Sequence, residues 1–494
     1  MRIQFTKPAS GYQASGHHRT AALKNTEAEN AAIEAMNEAL SSTMETERIL
    51  LRAAAGAGKS YALKRMVDEA LKHSMCSRVG VSAFANKQLF PLAEDLGKEL
   101  GADAVCLYVS DGRSLDVPDS VRDVANVVHS MKEVPSGASV VICTSHMFGH
   151  VGWNLTKQLG TAQNGETLFD VLFVDEAWQM PLHLYKGIER LAPVSVGVGD
   201  VGQLPPLDPG SNPWRGDAGY NPYRAWPTAY EDDDPATWSV ELPSVWRPTA
   251  AQLPLWRSFY SGWDSLDCVA APGDRSVEIG DLQGAADDVW TQVASGVPAL
   301  VEVADLDEAD AADIDQPLLA VVEGWLDDLF GAGFEVISQE FDPATGSTTE
   351  TRTDASDPGD KTIVAVLATR NQAVDDALDM VERLREKHGL PENSIVASTV
   401  DSWQGQTNAI TVALHPLSGA SELDEFNSAF GRLAVTCTRA THGLLLASRF
   451  GLDHFLAAAP PRPGTPFGEP GSRELPRQTH QRILETFARG TYCA

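Results

Sequence analysis

The chain has 494 residues, too many for one ordinary domain and in the range of two to four. Its 43% hydrophobic and 21% charged residues describe a globular chain that can bury a large core. A formal charge of −30 argues against a protein that coats polyanions through bulk attraction. It leaves room for a cleft that holds phosphates with backbone N–H groups and hydroxyls.

No uninterrupted run of about 18 apolar residues appears, which excludes a membrane-spanning helix. The opening MRIQFTKPASGYQASGHHRT lacks the apolar core of a signal peptide. Six scattered cysteines (Cys76, Cys106, Cys143, Cys268, Cys437, Cys493) contain no C-x-x-C, so neither a structural zinc site nor a disulfide framework is expected. That pattern fits a reducing cytoplasm.

In chain order, residues 1–24 read as a polar arm and 26–42 as a helix rich in alanine, glutamate and methionine. ERILLRAAAGAGKSYALKRMVDEALK reads as strand, glycine loop and helix. Strand-like runs recur at 78–84, 139–145, 170–176 and 194–200, separated by helical stretches. This alternation predicts a parallel sheet with helices on both faces. Residues 208–240, rich in proline, glycine, aromatics and acid, read as a surface insertion before a domain boundary near 240. A second α/β set follows, with strands at 298–304, 362–368, 395–400, 409–414 and 443–449 and an amphipathic helix at 317–330. The run 341–360 has loop composition, and the acidic run 302–315 reads as a solvated face. The predicted layout is therefore an arm (1–24), a first domain (25–240), a second domain (241–459), and a proline-rich linker with a short helix (460–494).

The strongest chemical signal is Ala53-Ala54-Ala55-Gly56-Ala57-Gly58-Lys59-Ser60, between a strand and a helix. There the N–H groups of Ala55, Gly56, Ala57 and Gly58 turn inward and the helix N-terminus favours phosphate. Lys59 suits the β- and γ-phosphates, and Ser60 suits magnesium. A second apolar strand delivers Asp175 and Glu176 to its C-terminal edge, where open α/β sheets bind ligands. Asp175 suits a magnesium shell, and Glu176 suits polarisation of an attacking water. Gly199-Asp200-Val201-Gly202-Gln203-Leu204-Pro205-Pro206 follows the next strand, and Gln203 there suits sensing of a γ-phosphate.

Together with Thr399-Val400-Asp401-Ser402-Trp403-Gln404-Gly405-Gln406 and Gly431 to Ala440 (GRLAVTCTRA), these blocks resemble the ordered motifs of superfamily 1 helicases. The blocks GDVGQLPP, VDSWQGQ and GRLAVTCTRA most resemble the Upf-like and RecD-like branch. Ser82-Ala83-Phe84-Ala85-Asn86-Lys87 is similar to a block of the UvrD and Rep branch. Trp246-Arg247-Pro248 and Ala368-Thr369-Arg370-Asn371-Gln372 resemble two further blocks.

The resemblance implies two RecA-like domains meeting over ATP and Mg2+, with minimal accessory insertions. It places Lys59, Ser60, Asp175, Glu176 and Gln203 on the first domain. Arg247 and Arg439, as phosphate-reaching arginines, fall on the second, and Gln404 and Gly405 join the nucleotide-binding set. It implies a single-stranded DNA or RNA partner, DNA slightly ahead, and 5′ to 3′ travel for the Upf-like and RecD-like branch. Phe84 and Trp403 are expected to stack on bases, and Asn86, Lys87, Thr144, His146 and Thr399 to meet the strand. Glu29 stands where the family has an adenine-reading glutamine, so use of other NTPs is expected. Two departures are Ala53 and Ala434, where the family has glycine and asparagine. A nucleotide-switched clamp, with a nucleic-acid or protein partner, and a P-loop kinase remain the alternatives.

Overall fold

The computed structural model describes residues 2–9, 14, 16–202, 206, 221–230, 234–263, 265–309, 314–368, 371–403, 405–423, 427, 430–459 and 476–494. Gln203, Gln404, Thr369 and Arg370 lie outside the described residues. The chain forms two compact α/β units, Lys24–Pro243 and a second built from Ser244 onward with the segment before Lys24.

The first unit carries an eight-stranded sheet: β1 (Arg48–Ala53), β2 (Val79–Ala83), β3 (Val105–Tyr108), β4 (Asn126–Val128), β5 (Val140–Thr144), β6 (Val171–Asp175), β7 (Val194–Asp200) and β8 (Thr237–Leu242). Their order is β4-β3-β5-β2-β6-β7-β1-β8, and every pairing is parallel. β2, β6 and β7 are buried at every residue, as expected for strands covered on both faces. Helix α1 (Arg19–Leu40) precedes the sheet, and α2 (Lys59–Lys72), α3 (Asn86–Leu100), α4 (Asp119–Arg122), α5 (Ser145–Leu159) and α6 (Leu182–Ile188) lie between its strands. Because β6, β7 and β1 are neighbours, their C-terminal ends bring Asp175, Asp200 and Ala53 to one edge, with Ala53 in register with Asp200.

The stretch 208–240 is not simply a surface insertion. Trp226 is fully buried, stacks on Tyr185 at 4.0 Å between ring centroids, and covers Gly197 of β7. A Cβ at Gly197 would stand 2.5 Å from the indole, so this strand position admits only glycine. The same stretch ends in β8, which pairs with β1 along its whole length. Trp226, in a stretch of loop composition, thus acts as core, with the half-buried Tyr230 packed against the same cluster.

The second unit holds β9 (Ser244–Val245), β10 (Asp267–Cys268), β11 (Arg275–Ile279), β12 (Ala299–Ala304), β13 (Phe334–Asp342), β14 (Ser347–Asp354), β15 (Val364–Ala368), β16 (Ile395–Thr399), β17 (Asn408–Leu414), β18 (Ala440–Arg449) and β19 (Ala488–Cys493). A six-stranded parallel sheet runs β16-β15-β17-β18-β12-β19. Helices α7 (Leu253–Phe259), α8 (Gly284–Ala294), α9 (Gln316–Ala332), α10 (Asn371–His388), α11 (Phe430–Cys437), α12 (Leu452–Ala458) and α13 (Pro476–Leu484) complete the unit. The main core gathers Trp290 and Val293 of α8, Leu318, Val322, Trp325 and Leu326 of α9, and the buried faces of β12, β15 and β17.

Three local readings change here. The loop-like 341–360 contains β14, paired antiparallel with β13 around a turn in which Asp342 accepts N–H bonds and Gly346 takes φ +71°. Its β-branched threonines favour the strand that its polarity disguised. The acidic run is not wholly a solvated face. Glu302 is buried and accepts from the N–H groups of Gly451 and Leu452 and from Arg489, while Asp315 caps α9 and binds Arg449. In the segment read as a polar arm, Ile3 is buried and Thr6 is bridged to Arg489 on β19, the strand that follows the expected final helix.

Two histidines of this unit are buried as neutral rings. Burial, with His480 and Arg489 nearby, pushes His415 down to about 3. Burial, with Arg275 and Lys361 nearby, does the same to His442, also to about 3. Both stay uncharged while an unfolded histidine takes a proton below about pH 6.5. Their contribution is therefore intact above that pH and drains away as pH falls toward the folded values, at about 1.4 kcal/mol per pH unit for each ring. His442→Asn is expected to flatten the pH slope of unfolding free energy by that amount between about pH 6 and 5. Parallel slopes in urea titrations of wild type and variant would refute the assignment.

Candidate active site

The glycine loop is shaped by two left-handed residues, Gly56 at φ +69° and Gly58 at φ +99°, conformations that side chains resist. They let the backbone turn from β1 into α2, whose first residue is Lys59. The Lys59 ammonium donates to both carboxylate oxygens of Glu176, at 3.0 and 3.1 Å, and stands 4.0 Å from Asp200. Burial works against its charge, but Glu176, Asp200 and Asp175 outweigh burial and raise its pKa, so it is a fixed ammonium. Asp175 is pushed up to about 7 by burial and by Glu176, against the pull of Lys59. Among the described residues, Lys59 thus faces three carboxylates, those of Glu176, Asp200 and Asp175.

Glu176 takes a left-handed conformation, φ +48° and ψ +45°, that a non-glycine residue adopts at a cost of roughly 1 kcal/mol or more. The turn that follows is closed by the Gln179 N–H on the Glu176 carbonyl at 2.8 Å. It is seated on Gly199 of β7, where a Cβ would lie 2.7 Å from the Trp178 ring and 2.8 Å from the Ala177 nitrogen. The strain reverses the chain at the strand end and brings the carboxylate back to Lys59. Ser60 is exposed on the first turn of α2.

Structure adds residues that the sequence reading passed over. Asp200 lay inside a recognised block, but its role follows from β7 pairing with β1. Its Oδ1 accepts the Gly202 N–H at 2.9 Å while Oδ2 faces Lys59. Asn25 of α1 donates to the Ala57 carbonyl at 2.9 Å, which sets this side chain against the glycine loop. Glu29, one turn on, is buried and accepts from Arg65 of α2 at 2.9 Å. In this arrangement it is the ion-pair partner of Arg65.

Phe84, Asn86 and Lys87 follow β2, and Thr144 ends β5, its neighbour, in register with Ala83. Phe84 is 41% exposed. The Thr144 hydroxyl caps α5 by accepting the Met147 N–H at 3.4 Å, and His146 packs edge-on against His150. In the second unit, the Thr399 hydroxyl accepts the Ser402 N–H at 3.0 Å and the Trp403 indole donates to Asn408 at 3.0 Å. Gly405 there takes φ +85°. Arg247 donates to the Thr438 carbonyl at 2.9 Å, next to Arg439. Arg439 is 1% exposed and donates to the Val435 and Gln406 carbonyls.

Comparison with known proteins adds one family match: a model of the AAA domain fits residues 36–209, the span that carries the glycine loop, Asp175, Glu176 and Asp200. No curated protein matches the chain. Among solved structures, the chain is similar to that of the PRRSV helicase, at 14% identity and a TM-score of 0.38, over 84% of this chain and 56% of that one. It is also similar to the DUF1998 helicase MrfA bound to DNA, at 11% identity and a TM-score of 0.40, over 95% of this chain and 56% of the other. The chain thus spans little more than half the length of either structure.

Proposed function

We propose that the chain is an NTP-hydrolysing translocase or helicase acting on single-stranded nucleic acid, with ATP as its nucleotide and DNA slightly favoured over RNA. The observation that carries the hydrolytic half is the Lys59–Glu176 ion pair at the mouth of the glycine loop, flanked by Asp175 and Asp200. The loop N–H groups of Ala55 to Gly58 bind phosphate, and Lys59 leaves Glu176 to meet it. Glu176, so released, accepts a proton from the attacking water. Ser60 and Asp175 offer the hydroxyl and carboxylate oxygens that magnesium prefers. Magnesium, when bound, neutralises charge on the phosphates. Arg247 and Arg439 are the arginines proposed to stabilise the transferred phosphoryl.

The nucleic-acid half rests on the ordered blocks and on the exposed Phe84 face at the same sheet edge. Hydrolysis measured with and without single-stranded DNA or RNA tests it: the rate rises with one of the two strands. Indifference to both overturns the motor reading. Duplexes with one 5′ or one 3′ tail then read the direction, with 5′ to 3′ expected.

A further inference from the structure

A chain of four hydrogen bonds ties the segment after β2 to the catalytic carboxylate proposed above. The Ala85 N–H donates to Gln88 Oε1 at 3.0 Å. Gln88 Nε2 donates to Gln179 Oε1 at 3.1 Å, and Gln179 Nε2 donates to Glu176 Oε2 at 3.2 Å. Glu176 closes the chain on Lys59 at 3.1 Å. The sense of the chain is set at both ends. A backbone N–H can only donate and an ionised carboxylate can only accept, so each amide between them has one orientation that satisfies both neighbours. Such bonds polarise one another and reinforce the common direction.

The two ends are seated differently. The Gln179 turn is wedged against Gly199, with no room for even a methyl group. The other end is Ala85, the half-buried N-cap of α3, next to the exposed Phe84. When Lys59 turns to phosphate, Glu176 gives up its two lysine bonds, and of the donors described here the Gln179 amide stays.

We propose that Gln88 and Gln179 are positioning residues that couple occupancy of the Phe84–Lys87 segment, where β2 gives way to α3, to the orientation of Glu176. The proposal rests on the reading in which a single strand meets that segment and Glu176 serves hydrolysis. A strand that moves Ala85 shifts the Gln88 amide, and through it the carboxylate. By reciprocity, nucleotide at the glycine loop alters the segment at Ala85.

The test uses the full chain, a non-hydrolysable ATP analogue with Mg2+, and an oligothymidylate or oligouridylate strand. In the wild type the analogue changes hydrogen–deuterium exchange across residues 84–88, and Gln179→Leu and Gln88→Leu abolish that change. In the same variants the ratio of strand-stimulated to unstimulated hydrolysis falls by about five-fold or more, while the nucleotide KM holds. Gln88→Glu keeps the size and the Ala85 bond but cannot donate to Gln179, so it loses coupling as well. Wild-type coupling in Gln88→Glu would show a mere space-filling role and overturn the proposal. So would exchange across that segment that ignores nucleotide in the wild type. Exchange that responds to nucleotide through Gln179, in a protein whose hydrolysis ignores both strands, supports the relay and removes the motor reading instead.

Discussion

Glu176→Gln is expected to lower steady-state hydrolysis by about a hundred-fold or more, the usual contribution of a positioned general base. The substitution keeps size and shape and removes one charge. Nucleotide binding persists, because the loop N–H groups, Lys59 and Ser60 are untouched. The variant also loses the carboxylate that holds Lys59 in the free protein. Lysine is then free to meet phosphate without first breaking an ion pair, so nucleotide affinity holds or rises. Fluorescent-nucleotide titration beside phosphate-release assays reads both quantities. Normal turnover in this variant would show that another group activates the water.

Lys59→Ala reverses that split. Nucleotide affinity falls by a factor between about thirty and several thousand, the range for removing one partner of a buried charged pair. Without the ammonium, Asp175, Glu176 and Asp200 face one another with their main neutralising charge gone, so the free protein loses stability as well, by about 3–5 kcal/mol if the cluster stays dry. Mg2+ alone should then raise the melting temperature of the variant more than that of the wild type. Equal magnesium responses, with unchanged nucleotide affinity, would place the phosphate site elsewhere.

The parts of this site that were legible in the sequence are those in which one short segment carries both the fold and the chemistry. A glycine loop must sit between strand and helix, so Gly56 to Ser60 declared their place, and β6 declared Asp175 and Glu176 by its apolar run. The fold class followed from the same alternation of buried strands and helices. What could not be read depends on which strands are neighbours. Asp200 becomes a partner of Lys59 only because β7 lies beside β1, and Gln88 meets Gln179 across 91 positions of chain. Burial misled in two directions. Trp226 sits in a proline- and glycine-rich stretch yet fills the core, and Glu302 sits in an acidic run yet lies buried on backbone N–H groups. Composition averages over a window, whereas packing decides residue by residue. Glu29 was aligned by spacing alone, and spacing along a helix does not say that Arg65 waits on the next one.

The six-stranded sheet of the second unit has a consequence for the order in which the protein can be made. Its strand β12 is apolar and buried, and both of its neighbours, β18 and β19, come more than a hundred residues later in the chain. On a ribosome adding about 5–20 residues per second, β12 emerges roughly ten to forty seconds before β19 can cover its outer edge. Through that interval the nascent chain shows an unpaired, hydrophobic strand, the form most prone to pair with a stranger. The first unit carries a delay of the same kind, since β1 lies between β7 and β8, which also come more than a hundred residues later. Each unit therefore exposes one early strand, β1 or β12, until its late partners arrive, and chaperone dependence should fall on both strands.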